Sequence, residues 1–238
     1  MKILHLYHDI MNLYGEYANV AAMQRILVNS GADCTVDRLT FGDNAVLEDY
    51  SFIYMGSGTE RNRNVVMEDF SRYKVSLKKY IDSGKVLLMT GNSFEMLGAS
   101  ITDAKGQKHE GIGLFDFTVT EQSRTRNTAD AVFKAEFSDK PLVGFINKCS
   151  EINGITEPLF EVMMGLGNTA EDKREGIRLN NFFGTHLTGP VLIKNPFFLE
   201  YMAGLIIGDE SKVSTRHLGF EKSGYDVTLS ELTKRMGQ

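Results

Sequence analysis

The segment most suggestive of chemistry is the run 90–98, Thr-Gly-Asn-Ser-Phe-Glu-Met-Leu-Gly. It continues the near-continuous apolar run 85–90, a pattern typical of a strand buried on both faces of a parallel sheet. A buried strand that enters a tight turn and then a helix has the geometry of a nucleophile elbow, where backbone N–H groups face the ligand. Because ligands bind beyond the carboxyl ends of such strands, the loops 12–15 and 56–62 are further candidates.

Two polar side chains could supply a nucleophile and a base. Ser93 offers a hydroxyl two residues into the turn, and His186 offers an imidazole. A hydroxyl in the first turn of a helix more often caps backbone N–H groups, and a histidine is more often packed or hydrogen-bonded, so a structural role is the competing interpretation for both. Cys34 and Cys149 lack disulfide or metal-site spacing, and free cysteines are commonly small buried hydrophobic residues.

The elements that must position these loops alternate between strands and helices. Apolar spacing of three and four residues predicts one helix ending at Gly31 and a second ending at Gly84. Short apolar runs predict strands at 3–7, 34–36, 52–55 and 85–90. This alternation predicts an α/β fold with a doubly wound, mostly parallel sheet of the flavodoxin-like kind.

The second half of the chain has a different pattern, with turn signals and no long helical periodicity between its β-like runs. These runs predict hairpins that extend the sheet in an antiparallel manner, and a final helix is predicted to start at Pro196. The β-like runs are 114–119, 131–137, 142–146, 159–163 and 177–183. Without a repeat or a Pro-rich linker, residues 1–238 are expected to form a single domain.

Composition excludes several functional classes. The chain has 26 Lys and Arg against 31 Asp and Glu, a net charge of −5, which argues against a nucleic-acid partner. It has neither eighteen consecutive apolar residues nor a signal-peptide pattern, so no membrane span and a cytoplasmic location are expected. No metal or other cofactor is expected, and no phosphate-binding loop of the G-x-x-x-x-G-K-[ST] type occurs.

Six segments, in order and at compatible spacing, resemble motifs of the class I glutamine amidotransferase domains of the cobyric acid synthase (CobB/CobQ) type. Residues 12–19, NLYGEYAN, are similar to N-L-Y-G-D-x-x-N, and 56–61, GSGTER, to G-G-G-Q-D-R. The elbow resembles C-G-G-Y-Q-L-L-G, and 142–147 resemble L-V-G-F-E-N. The segments GLGNT with EG at 165–176, and GTHLTGP with KNP at 184–196, complete the series. Within this family, the likeness is greatest to the glutaminase-like subunit that partners a Mur-type ligase in lipid II amidation.

The departures from these motifs fall on the reacting groups. Aligning the elbow on its last glycine puts Gly91 at the position of the nucleophilic cysteine and Glu95 at that of a glutamine. The catalytic histidine of the family falls on Thr188, while His186 stands where the family usually has tyrosine. A glutaminase of this class needs a thiolate and an imidazole, and glycine and threonine supply neither. The resemblance therefore implies an inactive site in which Gly91 preserves the turn.

Binding is the property that such a site could retain. The resemblance implies ligand-binding positions at the loops, and the backbone N–H groups of two of these residues would form an oxyanion hole. These positions are Asn12, Gly56, Ser57, Gly58, Asn92 and Glu95. Glu95 replaces a neutral glutamine of the family motif, so the site would prefer a ligand of different charge. Two interpretations remain open: Glu95 binds a cationic ligand, or it is a solvated helix residue.

The resulting prediction is a glutamine-amidotransferase-like protein without glutaminase activity, acting as a partner or ligand-binding subunit of a Mur-ligase-type synthetase. Two alternatives remain open. One is an active amidotransferase or hydrolase that uses Ser93 with His186, and the other is a free-standing protein that binds a small molecule.

Overall fold

The apolar runs form the central sheet of the computed structural model, which describes residues 1–237. Its strands are β1 (Lys2–Leu6), β2 (Thr35–Leu39), β3 (Phe52–Met55) and β4 (Val86–Thr90), and all residues of β3 and β4 are buried. The strand order β2-β1-β3-β4 is parallel throughout and matches the flavodoxin-like order. The predicted fold class is confirmed.

Helices cover both faces of this sheet, because alternate residues of each buried strand point to opposite sides. The helix α1 (Tyr17–Asn29) packs on the face that carries Phe52 and Leu88. The opposite face, with Ile53 and Leu87, is covered by α2 (Glu60–Phe70) and α3 (Lys74–Asp82). A 3-10 turn at Ser71–Tyr73 separates α2 from α3, so the one long helix predicted here is two helices.

The second half of the chain builds two smaller sheets. The strands are β5 (Ser100–Thr102), β6 (Lys108–Glu110), β7 (Thr118–Glu121), β8 (Asn127–Ala135), β9 (Ser138–Lys148), β10 (Ser150–Asn153), β11 (Phe160–Met164) and β12 (Arg174–Glu175). One sheet has the order β10-β7-β5-β6, and the other has the order β12-β11-β8-β9. Most predicted hairpins therefore pair with one another rather than with the central sheet.

The run 177–183 is a hairpin rather than one strand. It consists of β13 (Ile177–Leu179) and β14 (Phe182–Thr185), which turn at Asn180 in a left-handed conformation, φ +52°. Strand β14 lies parallel beside β4, and β13 adds the antiparallel extension at the edge of the central sheet. The β14 strand thereby carries the segment after Thr185 to the same sheet edge as the elbow.

The chain closes with three helices instead of the one that the sequence predicts. The short α4 (Val191–Lys194) leads into α5 (Pro196–Ile207), which starts at the predicted proline. An eighteen-residue helix, α6 (Gly219–Met236), follows and buries only Tyr225 and Leu232. Within residues 1–237, no helix combines the length and the apolar character that crossing a membrane requires.

The register of the parallel strands determines which loop residues meet. Met55 of β3 pairs with Met89 of β4, so two residues further on Ser57 comes beside Gly91. On the other side of β4, Thr90 pairs with Thr185 of β14, which brings His186 to the elbow. Three loops therefore converge at the carboxyl ends of these strands.

Candidate functional site

A cavity of about 210 Å³ lies where these loops converge. It is smaller than the ~300–1,000 Å³ of pockets that hold drug-sized ligands, so it fits only a small molecule. Its walls come from the turns after β1, β3 and β4, from the end of β9 and from the segment after β14. The lining residues are Leu13, Tyr14, Ser57, Gly58, Thr59, Glu60, Arg63, Gly91, Asn92, Glu95, Arg126, Asn147, Lys148, Cys149, Ser150, His186 and Thr188.

Gly91 occupies the tip of the elbow and is left-handed, with φ +63°. This is the backbone conformation that a nucleophile elbow imposes and that glycine adopts without strain. A Cβ built on Gly91 would overlap the Cβ of Ser57 and lie 3.0 Å from its Oγ. The side chain of Ser57 therefore occupies the space that a nucleophile on residue 91 would need.

Ser57 is held in this position by a buried carboxylate. Its backbone N–H and its hydroxyl both donate to Oε2 of Glu16, at 2.7 and 2.6 Å. Glu16 is inaccessible to solvent, and Oε1 of this residue has no hydrogen-bond partner. Burial raises the pKa of Glu16, and the hydrogen bonds from Ser57 oppose that rise only in part.

The expected oxyanion hole is closed by a side chain. The N–H of Gly58 donates to Oδ1 of Asn92 at 3.0 Å, and Nδ2 of Asn92 donates to the carbonyl of Gly58 at 2.8 Å. This reciprocal pair ties the loop after β3 to the elbow. Both residues line the cavity, but the Gly58 donor is engaged within the protein.

The structure does not bring Ser93 and His186 together as a catalytic pair. The Ser93 hydroxyl is fully buried, lies outside the cavity lining and donates to the carbonyls of Thr90 at 2.8 Å and Met55 at 3.2 Å. Thr188 lines the cavity, but its hydroxyl donates to the carbonyl of Phe145 at 2.9 Å. Both hydroxyls are therefore structural.

Glu95 is a buried anchor of a charged network rather than a solvated helix residue. Its carboxylate accepts hydrogen bonds from Nη1 of Arg63 at 2.6 Å, from Nε2 of His186 at 2.9 Å and from the Ser150 hydroxyl. Arg63 also donates to Glu121 at 2.6 Å. Because its carboxylate is already bound by these partners, Glu95 does not support the binding of a cationic ligand, which was one of the two interpretations of this residue.

The electrostatics of Glu95 follow from this network. Burial on its own would raise the pKa of Glu95, but the hydrogen bond from His186 and the charge of Arg63 hold it at about 2. The carboxylate is therefore ionised at neutral pH. Removing either partner would leave the buried charge of Glu95 with less compensation, which is a costly change.

Glu175 contacts the backbone N–H and the Nδ1 side of the ring of His186. Its Oε1 accepts the backbone N–H of His186 at 2.7 Å and lies 3.4 Å from Nδ1 of the ring, while Oε2 accepts the Thr185 hydroxyl. The two ring nitrogens of His186 thus face two buried carboxylates, Glu95 and Glu175. Glu175 is fully buried, although it follows the charged residues Asp172, Lys173 and Arg174 in the sequence.

Lys148 is a second buried cation in the cavity wall. Its ammonium donates to the carbonyls of Gly167 at 2.5 Å and Asn168 at 3.0 Å. Burial lowers the pKa of Lys148, and the nearby charges of Glu175 and Glu95 counter this effect in part.

The mouth of the cavity is bridged by exposed polar side chains. Asn147 donates to the Tyr14 hydroxyl at 2.9 Å and accepts from Arg126 at 3.0 Å, and Arg126 also contacts Glu60. Cys149 lies beside this chain, with its Sγ 3.3 Å from Glu60. Burial and the Glu60 charge raise the pKa of Cys149 to about 12, so the thiol is protonated at neutral pH. It is half-buried in the cavity wall rather than a core residue, whereas Cys34 is buried as expected.

Two predicted binding residues lie outside the cavity lining. Asn12 accepts the N–H of Tyr17 at 2.8 Å and so fixes the start of α1. Gly56 faces the loop after β1, where a Cβ would lie 2.6 Å from the carbonyl of Met11. Close backbone approach, rather than ligand contact, accounts for this glycine. Among residues 1–237, no group of three or more His, Cys, Asp or Glu side chains could hold a metal ion.

The CobB/CobQ-like glutamine amidotransferase domain matches residues 2–196 of the chain. The chain belongs to this family. Two curated relatives are each named lipid II isoglutaminyl synthase (glutamine-hydrolyzing) subunit GatD. The protein from Streptococcus pneumoniae is 29% identical over 197 residues, 82% of this chain and 76% of the relative. The protein from Staphylococcus aureus is 29% identical over 202 residues, 85% of this chain and 82% of the relative.

Solved structures agree with this assignment at the level of the fold. A crystal structure of a glutamine amidotransferase aligns with a TM-score of 0.55 and 14% identity, covering 86% of this chain and 98% of that one. A Thermotoga maritima glutamine amidotransferase aligns with a TM-score of 0.52 and 12% identity, covering 99% of this chain and 97% of that one.

The residues that sequence reasoning missed in this CobB/CobQ-like site are the charged groups behind the cavity wall. Glu16, Glu121 and Glu175 are acidic residues in polar segments, and periodicity gives no signal that they are buried. Arg63 is the cation of this group, and it lies on α2 directly after the loop that follows β3. The structure assigns to it two carboxylates of the same chain, Glu95 and Glu121, instead of a ligand.

Proposed function

We propose that this protein is a CobB/CobQ-like glutamine amidotransferase subunit that has lost the glutaminase reaction and serves as a partner subunit of a Mur-ligase-type synthetase. The observation that carries the proposal is the elbow. Gly91 keeps the left-handed turn without a side chain, and Ser57 fills the adjoining space. Changes at both positions leave no room for a thiol at the tip.

The chemistry of the missing groups supports the loss of activity. Hydrolysis of the glutamine amide by this family's route needs a thiolate to attack the carbonyl carbon and an imidazole to protonate the departing ammonia. Residue 91 has no thiol, and the Thr188 hydroxyl at the base position donates a hydrogen bond to the backbone carbonyl of Phe145. The nearby thiol of Cys149 is protonated, because burial and Glu60 raise its pKa to about 12. Nε2 of the His186 imidazole is hydrogen-bonded to Glu95, and Nδ1, which has no hydrogen-bond partner, lies 3.4 Å from Oε1 of Glu175.

The partnership rests on the names of the relatives. Both curated relatives are described as subunits of lipid II isoglutaminyl synthase, so they work in an assembly. This chain has no G-x-x-x-x-G-K-[ST] motif with which to bind ATP by a P-loop. A Mur-ligase-type synthetase would supply the ATP-dependent step, and the present subunit would stabilise or regulate it.

The partnership is tested by affinity purification of the tagged full chain from its own organism, followed by mass spectrometry of the bound proteins. We expect a Mur-ligase-type synthetase at equimolar amount that stays bound through gel filtration. Recovery of the chain alone, with the synthetase present in the lysate, would contradict the proposal. It would favour the free-standing small-molecule-binding protein, for which the 210 Å³ cavity is the supporting observation.

The alternative in which Ser93 acts with His186 is not supported by the geometry. The Ser93 hydroxyl donates to two backbone carbonyls and lies outside the cavity lining. We therefore do not assign an activity to this pair.

A further inference from the structure

The space beside Gly91, where the nucleophile of the family would lie, contains the hydroxyl of Ser57, and the proposed loss of glutaminase activity does not explain this hydroxyl. Ser57 lines the cavity beside Gly91, and its side chain fills the space next to the elbow tip. The motif of the family that resembles residues 56–61 has glycine at this position, whereas its elbow has cysteine where this chain has Gly91. A side chain with an oxygen nucleophile has therefore appeared on one loop and a side chain with a sulfur nucleophile has disappeared from its neighbour.

The second observation is the carboxylate behind Ser57. Oε2 of Glu16 lies 2.6 Å from Oγ of Ser57, within proton-transfer distance. Its other oxygen, Oε1, is buried without a partner. Buried polar atoms in folded proteins are nearly always hydrogen-bonded, and a catalytic role is one explanation for an exception. Burial also raises the pKa of Glu16, which makes it a stronger base than an exposed glutamate.

We propose that Ser57 and Glu16 form a nucleophile and base pair that accepts acyl groups from small carboxylic esters. This activity goes beyond the proposed function and is independent of the synthetase partner. The ester class follows from the leaving group, since an amide nitrogen departs only when protonated by a well-placed acid. The Thr188 hydroxyl and Nε2 of His186 are engaged in other hydrogen bonds, and Nδ1 of His186 lies 3.4 Å from Glu175. An ester with an acidic alcohol leaves without that help.

The reaction balances with these two groups and water. Oγ of Ser57 bonds to the ester carbonyl carbon as its proton passes to Glu16. The carbon–oxygen bond to the alcohol then breaks, the alcohol departs as its anion, and Glu16 releases its proton to water. Water attacks the acyl-serine, giving its proton to Glu16, and Oγ of Ser57 recovers that proton as the carboxylic acid departs. The cavity volume of about 210 Å³ restricts the acyl group to a few heavy atoms.

The test is intact-mass spectrometry of the full chain after exposure to p-nitrophenyl acetate and, separately, to a fluorophosphonate serine probe. We expect one adduct per chain, mapped by peptide sequencing to Ser57. Ser57→Ala should lose the adduct, and Glu16→Gln should form it about 100-fold more slowly, the magnitude expected for loss of a general base. Ser71→Ala, at an exposed serine outside the cavity lining, is the control and should react like the wild type.

Two outcomes would overturn the proposal: absence of any adduct on the folded wild type, or an adduct that persists in folded Ser57→Ala. Circular dichroism establishes that each variant is folded. Should Ser57→Ala fail to fold, Ser57→Cys takes its place, and we expect its thiol to become acetylated. A folded Ser57→Cys protein that remains unmodified by the ester would refute the inference equally. None of these results depends on the presence of a synthetase.

Discussion

The side chain of Ser57 occupies the space that a side chain on Gly91 would need. The two residues follow adjacent parallel strands in register, and a Cβ on Gly91 would overlap the Cβ of Ser57. Only one of the two positions can carry a side chain directed into this space. A cysteine at 91 is therefore incompatible with the serine at 57, and introducing a thiol at 91 requires two coordinated changes.

The first prediction concerns this incompatibility. Gly91→Cys should destabilise the protein by on the order of 2–4 kcal/mol, since it combines a left-handed residue with overpacking. Adding Ser57→Gly should restore at least about 1 kcal/mol by removing the overlap. Urea unfolding of the four proteins of this double-mutant cycle gives the coupling energy.

Gly42 provides a matched control for that cycle. It is also left-handed, with φ +85°, but has open space where its Cβ would lie. Gly42→Cys should show the backbone strain alone and no rescue by Ser57→Gly. If the effects of Gly91→Cys and Ser57→Gly on the unfolding free energy are additive, the two side chains do not compete for the same space. The same overlap means that Gly91→Cys with Thr188→His cannot rebuild a glutaminase unless Ser57→Gly accompanies them.

A second prediction concerns the buried ion network. Arg63→Met removes the cation between Glu95 and Glu121 and should cost about 3–5 kcal/mol of unfolding free energy, as breaking a buried pair does. The exposed pair of Lys78 and Asp82 serves as the comparison, and Lys78→Met should cost no more than about 0.5 kcal/mol. Equal effects of the two substitutions in urea unfolding would show that the network contributes little.

The third prediction is an acid-dependent loss of stability from Glu95. Its pKa is about 2 in the folded protein against 4.5 as the ordinary value. Because the folded pKa is the lower one, the stabilisation is complete above pH 4.5 and is lost as pH falls towards 2, on the order of 3 kcal/mol over that range. Urea unfolding between pH 6 and 3.5 should show a shallower pH dependence for Glu95→Gln.

Glu161→Gln is the control for this titration, since Glu161 pairs with Lys134 at an exposed site. It should leave the pH profile of the wild type unchanged. If Glu95→Gln also reproduces the slope of the wild type below pH 4.5, the carboxylate is not the group that couples folding to protons there.

A fourth prediction concerns the thiol at the cavity mouth. In a Cys34→Ala background, Cys149 should react slowly with iodoacetamide at pH 8, because its pKa is raised to about 12. Glu60→Gln removes an adjacent negative charge that contributes to this rise, so alkylation should become several-fold faster by intact mass. Arg126→Gln removes the cation that lowers the pKa and should have the opposite effect. Acceleration by both substitutions would point to loss of steric cover instead.

Much of the central sheet could be predicted because burial on both faces leaves a simple pattern. The apolar runs at 52–55 and 85–90 coincide with β3 and β4 almost to the residue. Helix α6 was missed since it buries only two of its eighteen side chains, Tyr225 and Leu232, and therefore has little apolar periodicity. The run 177–183 hid a hairpin because both its strands are apolar and Asn180 takes the turn that glycine usually takes.

Only the local backbone of the candidate site could be predicted from the sequence, because the contacts between its loops depend on tertiary structure. The turn at Gly91 follows from a buried strand next to a loop, and it is left-handed as an elbow requires. The contact of Ser57 with Gly91 depends on strand register, which pairs Met55 with Met89, and counting on from that pair is the signal that could have revealed it. The placement of Glu16 behind Ser57 arises from tertiary packing and has no sequence signature.

The central claim, a glutaminase site without a nucleophile for glutamine, is tested most directly by measuring glutamate release from glutamine. The purified full chain is assayed alone and with its co-purifying synthetase and ATP, beside Gly91→Ala and Ser57→Ala variants. We predict no release above the buffer rate in any of these mixtures. Sustained release of glutamate by the wild-type chain, in step with enzyme concentration, would contradict the account.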